Sequence, residues 1–314
     1  MNLPVADAHA DILWKMEQSG EEFYGTSALQ ASAQRLAVGG VKAQVFALYV
    51  SPLESPEAQL HHMLKEIDLF YHQVVASSKV AAVGTWNEFV KAQQVGQLAG
   101  LLSVEGAGCL QGDPAILRIL WRLGVRGIGF TWNLANGLAD GCMEPRNGGL
   151  TTMGRVLLAE VVRLSMWMDI AHLSDTGVKE VLSLTAGPIM ASHANCRQIH
   201  SHPRNLTDDV IRELIVRKGW LGLVFEGNFV AAHPQPDMYD LFRHLDHILE
   251  LGGDDIVGFG SDFDGASHPL KGLEDASAFQ QLAVAVVDRY GKEIAAKVLW
   301  NNFREFLHRA LPDH

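Results

Sequence analysis

An α/β fold, a single (β/α)8 TIM-type barrel with a helical C-terminal tail, is what this sequence predicts. Three observations point to it. Short β-rich runs alternate with helical stretches from one end of the chain to the other. The runs are continuously apolar, as strands covered on both faces are, rather than alternating. Several of them end in a histidine or carboxylate, and chemistry at the C-terminal ends of successive strands is how a barrel enzyme reads in one dimension.

The candidate strands are residues 5–9, 44–50, 100–104, 125–130, 167–171, 188–192, 220–225 and 256–260. Residues 57–75 carry Leu60, Leu64, Ile67 and Val74 near helical spacing. Residues 151–164, 176–184, 208–216 and 238–251 read the same way. Ser174, Thr207, and Asp113 before Pro114 are capping residues at helix starts. Two loops are long for such a unit, 132–150 and 194–206, and long loops in compact domains tend to be functional. A further loop at 266–273 precedes a helical tail over 278–311. Eight strands with intervening helices favour one barrel domain over 1–314 rather than a doubly wound sheet.

Composition narrows the function classes. The chain has 314 residues, 48% of them hydrophobic, and a formal charge of −11, which disfavours nucleic acid and other polyanions. No apolar stretch reaches the roughly 18 residues of a membrane span. With no targeting segment in view, a cytoplasmic protein without a membrane partner is expected. Three widely spaced cysteines, Cys109, Cys142 and Cys196, form no Cys-x-x-Cys motif and read as ordinary free thiols.

His9 and Asp11 open the constellation in Asp7-Ala8-His9-Ala10-Asp11. Side chains two apart on a strand face the same way, so both reach one metal once the strand end relaxes inward. An imidazole and a carboxylate suit Zn²⁺, with Mn²⁺, Fe²⁺ or Co²⁺ as alternatives. Glu105 ends the apolar run Leu101-Leu102-Ser103-Val104. A charge there is costly unless paired, with Arg126 or with metal, and one carboxylate is able to bridge two cations. His172 and His193 close successive strands, either as core histidines or as ligands of a second metal. Asp262 ends the last strand, which lies beside the first in a closed barrel and so returns next to His9 and Asp11. Asp264 reads as a turn with Gly265.

Together these segments resemble the renal (membrane) dipeptidase family, a binuclear zinc branch of the amidohydrolase-like barrels. The resemblance runs from Asp7 to about Phe306. It is carried by Asp7 to Asp11, Ser103-Val104-Glu105-Gly106, Met168 to Ser174, Ser192-His193-Ala194, Arg204 to Asp209 and Gly258 to Gly265. It implies two Zn²⁺ per chain, one on His9, Asp11 and Glu105, the other on Glu105, His172 and His193. It implies a small dipeptide substrate, also with a C-terminal D-residue, hydrolysed by attack of a metal-bridging hydroxide. Arg204 matches the family arginine that binds the substrate carboxylate, and Asp262 the aspartate near the nucleophilic water and the free amine. A homodimer is common in the family.

Two departures stand out. Where the family often has a substrate-contacting His, this chain reads Phe130-Thr131-Trp132-Asn133, so Trp132 takes that place, and either Asn133 or a metal takes over its role or activity on ordinary dipeptides is altered. After the seventh strand, where an aromatic often helps hold the carboxylate, stands Glu226; facing the pocket, it would repel an acidic side chain and favour a basic one. The alternatives are another amidohydrolase-type activity on lactones, esters or other amides, and a metal-retaining, non-catalytic binding protein. The first usually starts from His-x-His and often uses a carboxylated Lys; here the opening pair is His9 and Asp11, and no Lys ends a central strand.

Overall fold

The computed structural model describes residues 3–313; Met1, Asn2 and His314, the extreme ends of the expected domain, lie outside the described residues. Nine strands among these residues form one parallel sheet: β1 (Val5–Ala10), β2 (Val41–Tyr49), β3 (Val80–Ala82), β4 (Leu98–Glu105), β5 (Val125–Gly129), β6 (Trp167–Asp169), β7 (Ile189–Ala191), β8 (Trp220–Leu223) and β9 (Val257–Phe259). Neighbours run β2-β1-β9-β8-β7-β6-β5-β4, and β4 returns to β2, so eight strands close a barrel. These are the eight expected from the sequence. β3 is the addition. It pairs with residues 98–100 of β4, and β5 takes over that edge from Leu102. Three residues are too few to show a pattern.

The expected helices form, with small shifts. Pro56–Leu69 runs on through wider turns to Val74. Thr152–Arg163, Asp175–Leu184, Asp208–Arg217 and Met238–Glu250 are the others. Ser174 accepts from the Gly177 N–H and Asp113 from the Ala115 N–H, as capping requires. Thr207 stands at its N-cap position but makes no capping bond; Asp208 and Asp209 in the first turn supply the negative charge that suits a helix N-terminus. Short helices beyond those expected from the sequence fill the gaps, among them Ile12–Ser19 and Trp86–Gln94. The tail is two helices, Phe279–Ala296 and Asn302–Ala310, with a break at Gly291, where φ is 79°. No helix among the described residues is long and apolar enough to cross a membrane.

The strands sort their side chains by parity. Ala43 and Val45 on β2, and Ala99 and Leu101 on β4, share the face of Tyr49 and Glu105, which line the mouth of the barrel. They cluster with Trp167, Met190 and Trp220 to fill the interior. Residues of opposite parity, such as Phe46, Leu48, Leu102 and Val104, join the larger layer under the helices. Phe303 and Phe306 of the last helix plug the far end, edge-on to Trp220 and Trp167 at 5.0 and 6.3 Å.

Glycines set how closely the strands after β6 approach. A Cβ on Gly222 or Gly260 would collide with the carbonyl oxygen of Ser192, next to His193. Gly260→Ala should therefore overpack this end at a cost of about 1–3 kcal/mol. That corresponds to a melting temperature lower by about 1.5–5 °C in a thermal scan. An unchanged melt would mean that the Ser192 backbone yields freely.

Candidate active site

The residues singled out at strand ends converge at the C-terminal mouth. His9 is in β1 and Glu105 is the last residue of β4. Asp11 is the N-cap of the helix Ile12–Ser19 but makes no capping bond, which leaves its carboxylate for the mouth. His172, His193 and Asp262 lie just beyond β6, β7 and β9. The first and last strands continue side by side: the Asp262 N–H donates to the His9 carbonyl and the Asp11 N–H to the Phe263 carbonyl, at 3.1 and 2.8 Å.

Glu105 divides its two oxygens. Oε2 lies 3.2 Å from His9 Nε2, which is also 3.5 Å from Asp11 Oδ2 and 3.8 Å from Asp262 Oδ1. Oε1 lies 2.7 Å from His172 Nε2 and 3.7 Å from His193 Nε2. Arg126, the alternative partner considered for Glu105, instead donates to the carbonyls of Gly84, Trp121 and Val125. The candidate ligands thus gather around one carboxylate, with His9, Glu105 and His193, and likewise His9, Asp11 and Asp262, close enough to share a cation.

These donors fit divalent cations. The His172 Nδ1–H donates to Asn133 Oδ1 at 2.8 Å, so the lone pair of His172 sits on Nε2. That nitrogen faces Glu105 Oε1 and, at 2.8 Å, His193 Nε2. Lone pairs so crowded repel unless a cation or a proton lies among them. Burial, reinforced by Arg204, pushes the His172 pKa down to about 4, and burial with His9 holds His193 well below its ordinary value. Both rings are thereby kept in the neutral form that ligates metal. Burial also opposes charge on His9, yet the Glu105 and Asp11 carboxylates outweigh it and raise its pKa well above normal. Asp262 is pushed well up by burial and by the Asp11 carboxylate. His9 Nε2 and Asp11 Oδ1 are buried without a hydrogen-bond partner. A cation bound to nitrogen and oxygen donors answers all of these at once.

Other expected residues fall into place differently. Asn133 lines the cleft, and its Oδ1 accepts from the His172 Nδ1–H, which orients that imidazole. Ser192 Oγ does the same for His193 Nδ1 at 2.7 Å. Trp132 stacks on His172 at 6.0 Å and meets Tyr49 at 5.9 Å. It lines both the main cleft, about 370 Å³, and a second hollow of about 280 Å³ on its other side. Arg204 is buried beside the cleft; its Nη2 donates to the His193 carbonyl, its Nε has no partner, and its guanidinium lies over Phe229. Glu226 lines the cleft, yet its oxygens accept from the N–H groups of Asn228, Ser267 and His268 and from the Asn228 side chain. Those bonds tie two rim loops together and fix the carboxylate at the edge of the cleft. Asp264 does more than turn the chain: its carboxylate accepts from the Gln30 and Ala31 N–H groups.

The sequence alone does not mark Trp14, Tyr49 and Phe229, aromatic walls of the cleft, which Gly265 also lines. A Cβ on Gly265 would collide with the Asp11 carboxylate and stand 2.8 Å from Asp262 Oδ1.

A closed parallel barrel carrying one carboxylate between two histidine-bearing clusters defines a metal-site α/β barrel protein. Its family follows from comparison: a model described as membrane dipeptidase, peptidase family M19, matches residues 1–310, and the chain belongs to that family. It is similar to a dipeptidase of Aspergillus oryzae, aclJ, at 32% identity over 86% of this chain and 66% of that one. A dipeptidase of Clonostachys rogersoniana, verJ, is 31% identical over 73% of this chain and 60% of its own. The chain thus spans slightly less than two thirds of the length of these curated relatives. Among solved structures, a metallopeptidase called dipeptidase AC superposes with a TM-score of 0.91 at 27% identity over 99% of both chains. A Rhodobacter sphaeroides metallopeptidase, bound to a phosphinate mimic of the dipeptide L-Ala-D-Ala, also gives 0.91, at 26% identity over 99% of this chain and 100% of its own.

The loop carrying Arg204 has a pH-sensitive anchor. His244 Nδ1 accepts from the Cys196 N–H and its Nε2–H donates to the Val230 carbonyl, at 3.0 and 2.9 Å. Burial pushes its pKa down from 6.5 to about 4. The unfolded chain takes up this proton below 6.5 and the folded chain only near 4. Stability from this group is therefore whole above 6.5, falls between 6.5 and 4, and levels off below. The loss is at most about 3 kcal/mol. The difference in denaturation midpoint between wild type and His244→Gln should change across that window and stay constant outside it.

Proposed function

We propose that this chain, as a single barrel domain over residues 1–314, is a binuclear metal-dependent dipeptidase with two Zn²⁺ in the cell. The observation that carries the reading is Glu105, whose oxygens face separate histidine clusters, Oε2 toward His9 and Oε1 toward His172 and His193. His9, Asp11 and Glu105 would hold one ion, and Glu105, His172 and His193 the other. A bound pair supplies Lewis-acid polarisation of the scissile carbonyl and a more acidic water.

The chain's own groups do the rest. Arg204 binds the substrate's C-terminal carboxylate through its unpartnered Nε and the remaining N–H groups of a planar, always charged fork. A fixed arginine at one end and the metal cluster at the other restrict the substrate to dipeptide length. Asp262, in the cleft beside His9 and Asp11, takes the proton of the attacking water and passes it to the leaving amine. It also faces the free amine of the substrate. Trp14, Tyr49 and Trp132 form an aromatic wall that keeps water from the reacting bond. The L-Ala-D-Ala mimic in the Rhodobacter sphaeroides relative supports L,D-dipeptides as substrates here. Three free thiols accord with a reducing, cytoplasmic location.

The test is a panel of L,L- and L,D-dipeptides before and after chelation, with metal content measured on the purified protein. Turnover should vanish on chelation and return with Zn²⁺; metal-bound protein without dipeptide turnover would overturn the reading. Asp262→Asn should lower kcat about 10²–10⁴-fold with the metal content kept. Arg204→Ala should lower kcat/KM for dipeptides by at least about tenfold and abolish the preference over C-terminally amidated analogues. A preference that survives would mean that another group holds the carboxylate.

A further inference from the structure

Two buried aspartates outside the ligand set repeat one arrangement. Asp7 Oδ1 accepts from the His9 N–H, two residues on, at 3.4 Å and from the Ser261 N–H at 2.8 Å. Asp169 Oδ1 accepts from the Ala171 N–H, two residues on, at 3.0 Å and from the Ser192 N–H at 3.0 Å. Each serine belongs to the neighbouring strand end and directly precedes a site residue, Asp262 or His193. Each hydroxyl joins in: Ser261 Oγ donates to Asp7 Oδ2, and Ser192 Oγ pairs with His193 Nδ1, both at 2.7 Å.

The placement coincides with the end of regular pairing. β1 and β9 share the register pair Asp7↔Phe259, and β6 and β7 stop at Asp169↔Met190. Just past these points His172 and Asp262 both adopt φ 64°, a left-handed conformation that side chains with a Cβ take at a cost. The residue before each of them, Ala171 or Ser261, is the one whose N–H the aspartate holds. Strained backbone persists only where its surroundings over-determine it. Here the carboxylate supplies the over-determination where the ladder has run out.

We propose that Asp7 and Asp169 are positioning residues, each setting one half of the metal centre. Asp7 sets the half of His9, Asp11 and Asp262; Asp169 sets the half of His172 and His193. The contacts needed run mainly to one oxygen, so an asparagine that keeps that oxygen should serve and an alanine should not. This rests on the metal-centre part of the proposed function and not on its substrate.

The probe is Co²⁺ titrated into the metal-stripped full chain, followed by visible absorption and chelator competition, with the metal-free melting temperature measured alongside. Wild type should bind two Co²⁺. Asp169→Ala should weaken one of them by about 10–100-fold and Asp7→Ala the other, whereas both asparagine variants stay near wild type. In a His193→Ala background, Asp169→Ala should add nothing to the loss at the remaining site, while Asp7→Ala still lowers it. Equal weakening of both ions in each alanine variant, in step with the metal-free melt, would mean a merely structural role and overturn the proposal. So would unchanged affinities, or asparagine variants as weak as alanine. Wild type that binds no Co²⁺ would sink the metal-centre reading and this proposal together. Should an alanine variant fail to fold, Asp7→Leu and Asp169→Leu, which fill the same space without either oxygen, carry the same half-by-half expectation, and unchanged affinity in both overturns it.

Discussion

The whole mouth of this barrel is arranged around one carboxylate. Glu105 is the terminal residue of a long, apolar strand, and among the described residues it pairs with imidazoles rather than with a Lys or Arg. Its two oxygens look in different directions, one toward His9 and one toward the histidines after β6 and β7. Because burying an ionised carboxylate is expensive, the site makes sense only with compensating charge. His9 provides some when protonated, and the donor geometry shows where more positive charge belongs. The aromatic wall, the buried arginine and the neutral imidazoles are all placed relative to this shared group.

The scaffold delivers the ligands in two ways. β2 and β4 are long and regular, and Glu105 comes straight off a full ladder. β6, β7 and β9 are three residues each, and their ligands lie in irregular chain beyond them. Regular backbone has no freedom to aim two neighbouring imidazoles at one point. The departure from regularity is therefore functional, and its cost in lost ladder bonds is offset by carboxylates, hydroxyls and amides that take over the orphaned N–H groups.

That division also explains what was legible in the sequence. The eight barrel strands and the five candidate metal ligands show as apolar runs that end in polar residues, because burial on both faces and chemistry at the ends each leave a mark along the chain. β3 left none, being short and at an edge. Arg204 was legible only through family resemblance, since nothing local marks which arginine is buried. Asn133 and Glu226 were placed near the site correctly, but their partners, His172 Nδ1 and the rim amides, are set by how loops fold back. Asp7 and Asp169 stood in the quoted segments, yet their bonds cross between segments 254 and 23 residues apart in sequence. No periodicity records such a bond.

The seam between β1 and β9 has a consequence for how the molecule comes into being. His9 and Asp11 emerge first from the ribosome, whereas Ser261 and Asp262 emerge some 250 residues later, and the helix that plugs the barrel floor follows after them. Contacts so distant along the chain form slowly, after most of the loop-closure entropy has been spent. All five candidate ligands, from His9 to His193, are therefore synthesised before the strand that closes the barrel, and a nascent chain arrested before residue 262 carries them beside an open seam, without Asp262.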